Sequence, residues 1–568
     1  MEGIIMEKKQ HKNLTAILIF WMFTAILFLV LAVPAGVFAA TGSTDFTVSG
    51  SKIMLNGKRL IVKGVDYSPT PAGGSPGNEP YSDYYWSAWK DRWQWDLNQM
   101  RSMGINCIRP YGMQTNYDHT EFLDYAWNNG HNPIYVFIPY WFGSGIMDKP
   151  QTDRDNVLAG FKELAQKYGG HPAVIGYTLV NEVISASTCG DSAYFQFIHD
   201  LGKTVHDNST DKKLTLIAEI DTMAPCPDAA NCADCSYSGA DCSSFPVEAY
   251  FFKENQDALS EIDIIGINSY RGDMNTGFDC LFAQVKARTT KPFLITEYGC
   301  PADKHEGDTY DGKSVELDKK AADQGSFIES HWKDIVNNIE VASGGFIFNW
   351  SDEWWKSNKN TVQNSKYEGN GDASRSDNFP GHFWDDEWFG LFSIAPGKDR
   401  QIDHAFNADG SPVLPVDVLT ARAAVTNVTN MFSKPIVAVE ATEGITVPAG
   451  QSLMKTDAET FYPVTITIPI DPGAYGGITA ECQIVCKAPF GTYTYNPNED
   501  VWKSLAEGEA AVTYSHVLTR PYSLHVFSGY LPAGDYEFTL KMDLIKNQHY
   551  EYPELGQVSE TFTVPVSQ

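Results

Sequence analysis

Apolar residues recur in two rhythms along the 568-residue chain, and the change of rhythm divides it. Up to about residue 433, short apolar runs alternate with stretches whose apolar positions fall three or four apart. The runs predict strands at 60–67, 106–111, 134–141, 174–180, 214–220, 263–269, 292–297 and 345–350. They are continuous rather than alternating, as strands covered on both faces must be. Between them, Val157, Leu158, Phe161 and Leu164, and again Phe327, Ile328, Trp332 and Ile335, carry the helical period. Eight such units are the number that closes an α/β barrel of the (β/α)8 TIM type. An open doubly wound sheet would carry a glycine-rich phosphate loop after its first strand, and none is present. A small hairpin with Asn56-Gly57 at its turn precedes the first strand, and a helix over 416–431 is expected to end the barrel.

Beyond residue 433 the helical period disappears. Segments such as Val464-Thr465-Ile466-Thr467-Ile468 and Tyr522-Ser523-Leu524-His525-Val526-Phe527 alternate, with turn signals at Pro472-Gly473 and Pro532-Ala533-Gly534. This predicts a C-terminal all-β, immunoglobulin-like sandwich over 434–568. No exposed aromatic triad is visible there, which favours a structural or spacer role over carbohydrate binding. At the other end, Lys8, Lys9 and Lys12, the apolar run 14–33 and the small residues before Ala40 follow the order of a secretory signal. The run also reaches the roughly 20 residues that span a bilayer, so 1–40 is either a cleaved signal or a membrane anchor. Both export the body, with 41–433 as its barrel domain, to the cell surface or the medium.

Composition narrows the partner. A formal net charge of −29 excludes nucleic acid and other polyanions and leaves a neutral polysaccharide or oligosaccharide. Fourteen Trp, 28 Tyr and 31 Phe supply faces on which sugar rings stack, although most must be core. Export changes the meaning of the ten cysteines. Cys226, Cys232, Cys235 and Cys242 have a spacing that reads either as a zinc site or as a loop stapled by two disulfides, and an oxidising compartment favours the disulfides. Cys482 and Cys486 are candidates for a local bridge, and Cys107 is a candidate for an inert buried thiol.

Function in a parallel barrel sits at the C-terminal tips of its strands. The tips here read Asp66-Tyr67, Arg109-Pro110-Tyr111, Tyr140-Trp141, Asn181-Glu182, Glu219, Asn268-Ser269-Tyr270, Glu297-Tyr298 and Trp350. Glu182 ends the fourth strand and Glu297 the seventh, across the mouth from one another. Either alone reads equally as a buried, ion-paired carboxylate. Together, with Asn181 directly before Glu182, they point to catalysis at a sugar carbon by double displacement, for which two carboxyls about 5–5.5 Å apart are required. Asp352, Glu353, Asp385 and Asp386 are further acids able to hold a sugar hydroxyl or a cation. No calcium-loop spacing is present, so neither a metal nor a cofactor is expected.

These motifs resemble the clan-A retaining glycoside hydrolases. Within the clan, several stretches are similar to the family 72 β-1,3-glucanosyltransferases: Lys63 to Pro69, Gly104 to Arg109, Asn181-Glu182-Val183, Gly266 to Tyr270 and Glu297 to Cys300. The segment Phe348 to Trp355 is more similar to an eighth strand of family 2 or 5. The resemblance implies that Glu182 is the acid/base and Glu297 the nucleophile. It implies too that Asn181 binds the sugar 2-hydroxyl and that Arg109 and Tyr270 flank Glu297. Trp350 is expected to floor the subsite at the scissile bond, with Tyr67, Tyr111, Trp141, Trp354 and Trp355 as further substrate contacts and Tyr84, Tyr85 and Trp86 as weaker ones. The expected activity is hydrolysis or transglycosylation of β-glucan, most simply β-1,3-linked. A β-1,4-glucanase or mannanase, a non-catalytic wall-binding protein on a degenerate barrel and a zinc hydrolase are the alternatives.

Overall fold

The structure is a computed structural model that describes residues 44–564. Outside the description lie 184–191, 222–258, 287–288, 303–322, 357–358, 364–377, 382–383 and several short segments beyond 433. The expectations for the N-terminal segment 1–40 and for the Cys226–Cys242 loop therefore fall outside the described residues.

Three short strands, β1 (Phe46–Ser49), β2 (Lys52–Leu55) and β3 (Lys58–Leu60), form an antiparallel sheet. Asn56 (φ 51°) and Gly57 (φ 75°) turn the chain between β2 and β3, the positive-φ pair that an Asn-Gly hairpin turn requires. The barrel follows: β4 (Val62–Tyr67), β5 (Cys107–Pro110), β6 (Tyr135–Pro139), β7 (Val174–Asn181), β8 (Leu214–Ile220), β9 (Ile264–Asn268), β10 (Phe293–Tyr298) and β11 (Ala342–Ile347). These strands pair in parallel and in chain order, and β11 closes on β4. Almost every residue in them is buried, so their unbroken apolar character reflects cover on both faces.

Outer helices supply the second cover. They are α1 (Lys90–Ser102), α2 (Thr120–Trp127), α3 (Gln151–Tyr168), α4 (Ser192–Asn208), α5 (Leu281–Lys286), α6 (Asp323–Asn337) and α7 (Ala424–Ser433). In α3, Val157, Phe161, Leu164, Ala165 and Tyr168 form the buried stripe that the helical period anticipated. Buried Lys63 donates a 2.7 Å hydrogen bond to the Phe432 carbonyl, which satisfies one of the orphan acceptors at the end of α7.

Two expected elements shift. The helix expected over 416–431 is a strand followed by a helix: Val418–Ala421 (β13) pairs antiparallel with Phe392–Ala395 (β12), and α7 starts only at Ala424. Val418-Leu419-Thr420 favours the extended chain, whereas the helical spacing of Ala424, Val428, Met431 and Phe432 belongs to α7 alone. The eighth strand ends at Ile347, three residues earlier than expected. Gly344 and Gly345 weaken the strand signal at its start, where Gly344 lies against the Val62 backbone too closely for a Cβ.

Beyond α7 the alternating segments form two antiparallel sheets. One centres on Thr460–Asp471 paired with Tyr522–Pro532. The other runs Val501–Ser504, Gly491–Asn496, Thr479–Ala488, Gly534–Leu544 and Gly556–Val564, with Thr513–Val517 also on Thr479–Ala488. Tyr536, Phe538 and Leu540 are buried and alternate with more accessible Glu537 and Thr539. The local bridge expected between Cys482 and Cys486 is not formed. They stand four residues apart on one strand, roughly 13 Å, beyond the reach of a disulfide. Cys107 is a buried thiol on β5, its pKa pushed up by burial.

Candidate active site

The C-terminal ends of the barrel strands surround a cleft of about 460 Å³. Asn181, Glu182, Glu297, Tyr111, Trp141, Trp355, Glu353 and Lys356 contribute to its wall. Glu182 and Glu297 reach it by different routes. Glu297 is the fifth residue of β10, all six of whose residues are buried, and the register against β9 shifts just before it, between Ile295 and Glu297. Glu182 stands one residue past β7, where the register against β8 shifts between Thr178 and Val180. Its φ of 50° places a non-glycine residue in the left-handed region. Its amide bonds the Ala218 carbonyl at 2.9 Å. A bulge followed by a left-handed residue re-aims the side chain from the barrel axis into the cleft.

Glu297 is surrounded by donors. Arg109 Nη2 and the Tyr111 hydroxyl each donate to Oε1 at 2.6 Å, and the Tyr270 hydroxyl donates to Oε2 at 2.7 Å. Arg109 is itself fixed: Nε donates to Asp66 at 2.7 Å, Nη1 to the Asn181 side-chain oxygen at 2.9 Å, and Nη2 also to Tyr111 at 2.8 Å. Burial works against the guanidinium's charge, but Asp66, Tyr111 and Glu297 overcome it and raise its pKa. Burial pushes the Asp66 carboxyl well up, with Arg109 pulling the other way. Burial also raises the Tyr111 and Tyr270 phenols, which therefore remain donors. Three donors on one carboxylate fix its orientation.

Glu182 has one side-chain donor among the described residues, Asn268 Nδ2 at 2.9 Å from Oε1. Its pKa is raised, first by burial and then by Glu297, against the opposing influence of Asn268, Lys356 and Arg109. Asn268 is oriented from beneath: Thr296, the neighbour of Glu297 on β10, donates to its Oδ1 at 2.7 Å. This turns Nδ2 toward Glu182 and, at 3.3 Å, toward Asn181 Oδ1. Arg109 and Asn268 thus both occupy the Asn181 oxygen, leaving the Nδ2 amine as the group it can offer a ligand.

A family model described as glucanosyltransferase, glycoside hydrolase family 72, matches residues 37–373, more than half of the chain. The chain belongs to this family. Among curated relatives, the 1,3-beta-glucanosyltransferase PGA4 of Candida albicans is 26% identical over 259 residues, covering 44% of this chain and 50% of that protein. The 1,3-beta-glucanosyltransferase GAS5 of Saccharomyces cerevisiae is 23% identical over 283 residues, covering 47% and 52%. The chain spans about half the length of the curated relatives it matches. Solved structures similar to it include a beta-glucuronidase of Bacteroides uniformis, at 12% identity and a TM-score of 0.44 over 92% of this chain and 48% of that one. Another is a GH2 beta-galacturonidase of Eisenbergiella tayi, at 14% identity and a TM-score of 0.40 over 68% and 54%.

In this family 72 barrel, the structure brings together Glu182, Glu297, Asn181, Arg109, Tyr111 and Tyr270. Trp141 and Trp355 also reach the cleft. Tyr81, at the rim, lies 5.6 Å from Trp141 between ring centroids. The other expected contacts fall elsewhere. Trp350 is fully buried and packs on Phe392 at 4.6 Å, because the chain has already left the barrel after Ile347. Tyr67 is fully buried beneath the site and donates to Asp96 at 2.7 Å. Tyr84 and Tyr85 are core residues, Trp86 stacks on Tyr117 at 4.5 Å, and Trp354 is half-buried outside the cleft lining. Glu219 accepts from buried Tyr194 at 2.5 Å. Asp66 and Asn268 stood among the strand tips without an assigned role, and Thr296 and Lys356 had no expected part in the site. The first three sit at or beside strand tips already recognised, so position was their signal.

Proposed function

We propose that this protein is an exported retaining β-glucan transglycosylase or hydrolase, with Glu297 as nucleophile and Glu182 as general acid and base. The contrast between the two carboxylates carries the reading. Glu297 accepts three hydrogen bonds that favour its anion, whereas burial and Glu297 itself raise the pKa of Glu182. An anionic nucleophile beside a protonated acid is the pair that double displacement requires.

In the first step a carboxylate oxygen of Glu297 attacks the anomeric carbon. The bond to the glycosidic oxygen breaks, and the proton of Glu182 goes to the departing sugar. Glu182, now anionic, then takes the proton of an incoming hydroxyl, whose oxygen displaces Glu297 and restores the original configuration. Asn181 Nδ2 donates to the sugar 2-hydroxyl, a contact that strengthens as positive charge develops on the ring. Trp141 presents a ring face to a neighbouring sugar, and Trp355 lines the same cleft. The family assignment favours a β-1,3-linked glucan as donor and a second chain as acceptor. The net charge of −29 accords with a neutral polymer, and the lysines and apolar run before Ala40 accord with export to the cell surface, either released or membrane-held.

The test is product analysis with β-1,3-linked gluco-oligosaccharides. Products longer than the substrate, with retained configuration, are expected. Shorter products alone mean hydrolysis, and turnover only of β-1,4-glucan or mannan means a different linkage. No turnover of any β-glycan contradicts the assignment.

A further inference from the structure

The chain leaving the barrel after β11 carries two adjacent acids with opposite surroundings. Asp352 is fully satisfied: Arg422 donates to both its oxygens at 2.5 and 2.7 Å, Gln363 donates at 2.7 Å and the Gly390 amide at 3.2 Å. Glu353 is 2% exposed and lines the cleft, yet among the described residues its Oε2 has no hydrogen-bond partner. Lys356 Nζ is 3.8 Å from that oxygen, too far for a hydrogen bond, and lies 4.8 Å from the Trp355 ring centroid and 5.2 Å from that of Phe348. The indole nitrogen of Trp355 is likewise buried; it makes no well-formed hydrogen bond among the described residues but stands close enough to the Glu353 carboxylate to pull its pKa down. Both Trp355 and Lys356 line the same cleft as Glu182 and Glu297.

We infer that Glu353, Trp355 and Lys356 form a hydrogen-bonding subsite for the hydroxyls of the hexose attacked by Glu297, at ring positions other than the 2-position. This deepens the proposed glycan activity and rests on it. A buried carboxylate oxygen that accepts no hydrogen bond is costly even beside a cation, so a donor that enters the cleft is favoured there. A sugar hydroxyl both donates and accepts. It can therefore donate to Glu353 while accepting from the indole N–H or the ammonium, a combination that neither water-exposed acids nor an apolar wall supplies. A divalent cation is a poorer occupant, because Lys356 already places a positive charge beside the carboxylate. Burial raises the pKa of Glu353 to about 7, opposed by Lys356 and reinforced by Glu297 and Asp386, as expected for an acid within the electrostatic reach of the nucleophile. Asn181 serves the 2-hydroxyl, leaving the 4- and 6-hydroxyls of a 3-linked ring for this wall.

The experiment uses aryl β-1,3-linked glucobiosides in which the ring bearing the aryl group lacks the 2-, 4- or 6-hydroxyl. Aryl release reports attack by Glu297 whichever acceptor follows. In the wild-type protein, loss of the 4- or the 6-hydroxyl is expected to lower kcat/KM about 10- to 100-fold, the range of a hydrogen bond to a charged group. Glu353→Gln and Glu353→Ala should reduce that penalty to within about threefold while keeping the 2-deoxy penalty, and Lys356→Met should reduce it in part. Each penalty is a ratio within one variant, so a smaller folded fraction does not alter it. Glu353 variants that retain every wild-type penalty overturn the subsite while leaving the glycosidase reading intact. Absence of aryl release from the parent compound by wild-type protein overturns both.

Discussion

The two sides of the cleft treat the same functional group in opposite ways. On the β10 side, Glu297 lies within the buried strand, just past a register shift against β9, and is gripped by Arg109, Tyr111 and Tyr270. On the β7 side, Glu182 also follows a register shift but stands past the strand end, adopts a left-handed backbone and receives, among the described residues, a single side-chain donor, Asn268. Identity of the side chain therefore decides little, and the donor count and burial decide the role. The sides are also linked. Thr296 orients Asn268 toward Glu182, and Arg109 spans Glu297 and Asn181, so a change on one side reaches the other.

The largest disturbance of this contrast is Glu297→Gln, which removes the nucleophile. A loss on the order of 10⁴-fold or more in kcat is expected, measured as oligosaccharide turnover. Glu182→Gln should cost about 10²- to 10⁴-fold, the usual worth of general acid–base help. The loss should be smaller for aryl donors whose leaving group needs no proton, and equal losses for both donor types would contradict the acid assignment. Tyr270→Phe removes one of the three donors to Glu297 and should lower kcat/KM about 10- to 100-fold without loss of the fold, checked by thermal denaturation.

The smallest effect is the most specific. Asn268 favours the ionised form of Glu182, so Asn268→Ala should raise the Glu182 pKa further. An acid with a higher pKa keeps its proton to higher pH, and the alkaline limb of the kcat/KM profile should move upward. A downward shift would mean that Asn268 bonds the protonated acid instead.

Much of this was legible in the chain because periodicity is a direct consequence of burial. Eight unbroken apolar runs marked strands covered twice, and counting them placed Glu182 fourth and Glu297 seventh, as the closed barrel has them. Two kinds of information were not local. Whether an aromatic at a strand tip faces ligand or core depends on where the strand stops, and glycines at 344 and 345 concealed that β11 ends before Trp350. Hydrogen-bond partners from distant strands are equally invisible in sequence. Asp352 and Glu353 look alike in the chain, yet Arg422, 70 positions from Asp352, hydrogen-bonds both oxygens of one, whereas among the described residues the other has Lys356 only at 3.8 Å.

The central claim is that Glu297 forms the covalent bond while Glu182 moves the proton. An activated 2-deoxy-2-fluoro β-glucoside slows breakdown of the glycosyl-enzyme enough for the labelled protein to be digested and its peptides weighed. The label is expected on the peptide containing Glu297, with none on that containing Glu182. A label on Glu182, or inversion of configuration in the products of the unlabelled enzyme, would contradict the account.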